Sequence, residues 1–174
     1  IGGNSYNVSN QFRMKPGIYT RKRRNEDLEA QFNLAKGDNF RLSMDPEKGH
    51  FNIEYGTTKI PLYPVLKELG LSDNQISKHW NPDLVKTNKE AFSKRTDQCV
   101  NKLYERLYRP SQRKAGEDPI KAIKKAYADT RLDPEITQKT LGKKFENVST
   151  DALLAASNKL LRAFTEDVDF DERD

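Results

Sequence analysis

The chain has 174 residues, 33% charged and 34% hydrophobic, with a net charge of +5 and a pI of about 9.2. This is the size of one large domain or two small ones and can bury a core, although a mean hydropathy of −0.93 implies broad solvated faces. A single cysteine, Cys99, excludes an internal disulfide and a cysteine-based zinc set, and no apolar run reaches the ~18 residues of a membrane helix. No basic-plus-apolar leader opens the chain, so a reducing, cytoplasmic setting is expected. The basic balance makes nucleic acid a reasonable partner but says nothing of fold. The chain starts at Ile1 rather than Met and stops inside an acidic run, as expected of a piece cut from a longer polypeptide.

The first segment is basic. Arg13, Lys15, Arg21, Lys22, Arg23 and Arg24 lie within residues 1–24 with no acid among them. Tyr6, Val8, Phe12 and Met14 share one parity. Leu28, Ala30, Phe32 and Leu34 then alternate with Glu29, Gln31 and Asn33. Phe40, Leu42 and Met44 alternate, as do Phe51, Ile53 and Tyr55. A period of two puts each apolar set on one face of a strand. Between the last two sets, Asp45-Pro46-Glu47-Lys48-Gly49 reads as a hairpin turn, with Pro presetting φ and Gly accepting φ > 0. The expectation is an antiparallel sheet of about four strands with one wet face.

From residue 71 onward the period becomes helical. Ser72-Asp-Asn-Gln75 has the form of a capping box. Asn81-Pro82, Asp118-Pro119 and Asp133-Pro134 each read as a cap followed by a helix-starting proline. A long helix is predicted over about 88–108, with Phe92, Cys99, Val100, Leu103 and Leu107 on one stripe. Further helices place Ile120, Ile123 and Tyr127 together, and Leu153, Leu154, Leu160, Leu161 and Phe164 inward over about 150–164. The polar loop 109–116 is expected to be mobile. The fold class is therefore α+β: a β-rich part over 1–70 and a helical part over 71–174, forming one structural unit.

No catalytic constellation emerges. His50 and His79 lack the partners of a metal site, and Cys99 sits on an apolar stripe as a buried, inert thiol. There is no glycine-rich phosphate loop. The carboxylates Glu166, Asp167, Asp169, Asp171, Glu172 and Asp174 read as a solvated end without a rigid frame for Mg²⁺. The basic start is different. Arg21 and Arg23 share one face of a strand, and Arg13 and Lys15 another. Such cations, with Phe12 and Tyr19 nearby, could follow a phosphate backbone or serve as a solvated edge that blocks aggregation; the residues alone support both.

One ordered string carries more. Gln11 precedes Pro16-Gly17-Ile18. Then come Gly37-Asp-Asn39-Phe40-Arg-Leu42-Ser-Met44-Asp45-Pro46-Glu, Phe51-Asn-Ile53, Thr58-Lys59-Ile60-Pro61-Leu62 and Leu66-Lys-Glu-Leu69-Gly70. This order resembles the lobe region in the N-terminal half of the β subunit of bacterial multi-subunit DNA-directed RNA polymerase. The family pattern runs Gln, then Arg-Ser-Pro-Gly-Val, then Gly-Ser-Trp-Leu-x-Phe-x-Phe-Asp-Pro-Lys, a strand, Arg-Lys-Leu-Pro, and a helix ending Leu-Arg-Ala-Leu-Gly. Later matches are sparser: Leu107-Tyr108-Arg109-Pro110, Gly142-Lys143-Lys144-Phe145, and the helix from Leu153 leading into the acidic end.

The resemblance implies a lobe that walls the DNA cleft and touches downstream DNA and the non-template strand, within a nucleotidyltransferase whose catalytic Mg²⁺ sits on a partner subunit. It implies no cofactor in this segment. DNA, the other polymerase subunits and a σ-like factor would be the partners. Asn39 stands where the family has a base-stacking Trp, with Phe40 the nearest ring. Met14, between Arg13 and Lys15, stands where the family has an Arg, and Asp174 falls on a family Asp at the edge of the bubble. The nucleic-acid contacts implied are thus Arg13, Lys15, Arg21, Arg23, Asn39, Phe40 and Asp174, more through the backbone than through bases. Divergence of this size is expected of a phage-encoded enzyme. The alternative reading is a free-standing basic module that binds DNA or regulates a polymerase.

Overall fold

A computed structural model describes residues 16–165. Five strands form one antiparallel sheet in simple up-and-down order: β1 (Gly17–Lys22), β2 (Leu28–Asn33), β3 (Phe40–Asp45), β4 (His50–Tyr55) and β5 (Thr58–Pro61). The alternation sets the register. Ile18 opposes Phe32, which opposes Phe40, and Ala30, Leu42, Ile53 and Ile60 continue a second apolar row. The β3–β4 hairpin closes as its residues require. Asp45 Oδ1 accepts from the N–H groups of Glu47 and Lys48, and the Gly49 N–H donates to the Asp45 carbonyl at 2.7 Å. Gly49 holds φ +74°, and a Cβ there would come within 2.8 Å of Leu84 Cδ2.

Seven helices follow: α1 (Leu62–Glu68), α2 (Asp73–Trp80), α3 (Pro82–Phe92), α4 (Thr96–Leu107), α5 (Pro119–Ala128), α6 (Pro134–Leu141) and α7 (Thr150–Thr165). The four expected caps all form. Ser72 and Gln75 exchange both capping-box bonds, and Asn81, Asp118 and Asp133 each accept from the first turn of their helix. Two expectations about the helices fail. The helix over 88–108 is broken: α3 ends at Phe92, and a 3-10 turn over Ser93–Arg95 separates it from α4. Phe92 and Arg95 leave helical geometry with ψ of −4° and 16°, and the Thr96 hydroxyl donates to the Ser93 carbonyl. Phe164 does not point inward. It is 53% exposed, and Ala156, Ser157 and Ala163 take the buried positions of α7 instead.

The helices cover one face of the sheet, and a single apolar cluster joins both halves. Trp80 lies at its centre with 0% exposure, stacked on Phe51 at 4.3 Å and donating its indole N–H to Ser157 Oγ at 2.7 Å. The hydroxyls of Tyr55 and Tyr127 meet at 3.3 Å, and burial pushes both phenols up. Asn88 ties α3 to the hairpin, donating to the carbonyls of Gly49 and Leu84 and accepting from the Phe51 N–H. Cys99 is buried, and desolvation raises its thiol pKa. No helix of the described residues is long and apolar enough to cross a membrane.

Candidate nucleic-acid interface

Of the residues expected to meet nucleic acid, Arg13, Lys15 and Asp174 lie outside the described residues. Arg21 sits near the end of β1 and Arg23 just beyond it, and the register sets Arg21 directly opposite Glu29. The far face of the sheet is polar, as the alternation required, but its centre is closed rather than wet. Glu29 is 1% exposed. Its carboxylate accepts from Arg21 Nε and Arg23 Nε, each at 2.6 Å, with Arg41 Nε 3.6 Å away. Arg23 also reaches Glu54 at 3.2 Å, and Arg41 donates to Glu54 at 3.4 Å and to the Gly56 carbonyl at 2.7 Å. Three arginines and two glutamates thus form one lattice. Burial opposes the charge on Arg23, but Glu54 and Glu29 outweigh it and hold the pKa above the ordinary value. Burial alone would also raise Glu54, yet bonds from Ser43 and Arg23 bring it below its ordinary value. A phosphate arriving here would compete with carboxylates already in place.

Asn39 and Phe40 are separated by their surroundings. The Phe40 ring is 2% exposed and stacks on Phe32 at 4.5 Å, so it belongs to the core and offers no face to a base. Asn39 is exposed, and its amide is held in place: Oδ1 accepts from the Leu34 N–H at 2.7 Å and Nδ2 donates to Asn33 Oδ1 at 2.8 Å.

Asn39 lines a cleft that sequence patterning did not reveal. With Asp38 it faces Glu105, Arg106, Arg109 and Gln112 across a polar space of about 830 Å³. The Arg106 guanidinium packs 5.6 Å from the centre of the Tyr55 ring. The Arg109 N–H donates to Gln112 Oε1 at 2.9 Å, while its guanidinium is in no ion pair among the described residues. The loop expected to be mobile is bonded in place, since Arg113 donates to the carbonyls of Tyr108 and Glu105, each at 2.9 Å. The one signal in the sequence is the Arg109-Pro110 pair, which there marks only a motif match. Among the described residues no group of three or more His, Cys, Asp or Glu side chains is placed to hold a metal ion. No protein-family profile matches the chain, and no curated protein matches it.

Proposed function

We propose that this chain is a lobe element of the β subunit of a divergent, phage-type multi-subunit DNA-directed RNA polymerase, lying along the DNA cleft beside downstream DNA and the non-template strand. The observation that carries this reading is the agreement between motif borders and element borders. Gly37 to Asn39 form the loop before β3, and Asp45-Pro46 opens the hairpin turn. Pro61 closes β5, and Leu69-Gly70 follows the end of α1. From Pro16 onward, each piece of the polymerase-like string is therefore one consecutive part of a single sheet-and-helix unit. Under this reading the segment contributes steric and electrostatic guidance, and catalytic Mg²⁺ belongs to a partner subunit.

The test is the parent reading frame. Continuation beyond Asp174 into His-Leu-Gly-Asn-Arg-Arg-like sequence is the expected result. A start codon directly before Ile1 with a stop directly after Asp174 would overturn it in favour of a free-standing module.

A further inference from the structure

We propose that the phosphate backbone of DNA is followed not by the strand arginines but by the surface running from the end of α4 through α5, with Arg109, Lys114, Lys121, Lys124 and Lys125 as its cations. This rests on the DNA-binding reading above and assigns it a place. The segment 109–125 holds Arg109, Arg113, Lys114, Lys121, Lys124 and Lys125 against only Glu117 and Asp118. Six cations against two acids leave this short stretch strongly positive.

On α5 the cations are gathered on one side rather than scattered. On α5, Ala122, Ile123 and Tyr127 are buried, so the exposed arc between them consists of Lys121, Lys124 and Lys125. Lys124 and Lys125 each lie about one turn from Lys121, some 5–6 Å between Cβ atoms. None of the three forms an ion pair among the described residues, in contrast to Arg21, Arg23 and Arg41 in their glutamate lattice.

The two acids of the stretch are occupied. Glu117 accepts from the Tyr104 hydroxyl at 2.7 Å, and Asp118 caps α5 through the Ile120 N–H at 3.0 Å. The Tyr108 hydroxyl donates to the Ala122 carbonyl at 2.8 Å, which fixes α5 against α4. The Arg113 bonds fix the intervening loop, so Arg109 and the lysine arc hold a set relation to each other. Unneutralised cations on a rigid frame gain most from releasing counterions to the solvent when they meet a polyanion. An arginine lattice already closed by carboxylates gains least.

The experiment is fluorescence anisotropy of the full chain with a labelled DNA duplex carrying a central bubble, across a salt series. Lys121→Gln/Lys124→Gln/Lys125→Gln is compared with Lys78→Gln/Lys86→Gln/Lys94→Gln, which removes the same charge from other exposed sites. The first triple is expected to bind at least about tenfold more weakly at low salt, with a log–log salt slope shallower by about 2–3 units. The second is expected to change affinity less than about twofold. Equal losses in both triples would overturn the proposed surface while leaving DNA binding intact. Competition by polyglutamate as effective as that by DNA would overturn the choice of DNA as its occupant. No binding by the unaltered chain at low salt would instead remove the DNA-binding reading itself, and the surface with it. Thermal melts of both triples, expected to match the unaltered chain, show that the binding loss is not unfolding.

Discussion

Glu29 illustrates what a single residue decides. It is a buried carboxylate that faces three arginines, so removing its charge leaves cations crowded on a strand face with one partner too few. Glu29→Gln preserves shape and is expected to destabilise the fold by about 3 kcal/mol in urea denaturation. A loss within about 0.5 kcal/mol would mean that the arginines simply turn to solvent. Acidification acts on the same face and on the hairpin. Glu54 titrates below its ordinary 4.5, and His50, desolvated against the Phe92 ring at 4.8 Å, titrates below its ordinary 6.5. In both cases the folded chain gives up its proton more readily than the unfolded chain, so stability falls as pH falls. The His50 share is lost first, below pH 6.5, and the Glu54 share below pH 4.5. His50→Gln is expected to flatten the upper part of that stability–pH curve and leave the lower part. The sequence showed that Glu29 and Arg21 are polar-face residues. Their pairing depends on register across two strands, and nothing local encodes that.

Strand-to-helix approach governs the elements. At Gly17 a Cβ would meet the Ile136 side chain, with Ile136 Cβ only 2.9 Å away, because α6 lies directly on β1 and Thr140 Oγ1 donates to the Ile18 carbonyl at 2.6 Å. Gly17→Ala is therefore expected to push α6 off the strand and cost roughly 1–3 kcal/mol by overpacking. Gly56→Ala, at a turn glycine with open space around it, meets no such atom, although its positive φ adds some strain. Melting Gly17→Ala with and without Ile136→Ala checks the claim, since the smaller side chain clears the clash, and an unchanged Gly17→Ala loss would refute a steric cause. Caps and the hairpin turn were readable in advance because each is written in four or five adjacent residues. The break between α3 and α4 was not. Phe92, Cys99, Val100 and Leu103 keep a helical period across it, no Gly or Pro marks it, and the kink is held by a hydroxyl-to-carbonyl bond at Ser93. Phe164 leaves the buried stripe for the opposite reason: periodicity names a stripe but not where its neighbours stop.

At the scale of the whole molecule the two halves share one core, and Trp80 reports on both. Its ring stacks on Phe51 of β4, and its N–H bonds to Ser157 of α7. Unfolding followed by Trp80 fluorescence and by far-ultraviolet circular dichroism is expected to give one coincident transition. Separate midpoints would show that the sheet and the helical half melt independently. The α+β class and the order of strands before helices followed directly from the change of period near residue 71. The candidate interface did not, since the Asn39 cleft and the α5 lysine arc join residues far apart in the chain or read as an ordinary solvated helix face.

The buried thiol turns the protein into its own stopwatch. Cys99 is the only cysteine in the chain, and burial keeps it protonated and out of reach of reagents. A maleimide pulse is therefore expected to mark molecules only while α4 is open, so the labelled fraction counts opening events without any engineered probe. Bound DNA that braces α4 and α5 would slow that clock, whereas a ligand held elsewhere would leave its pace unchanged.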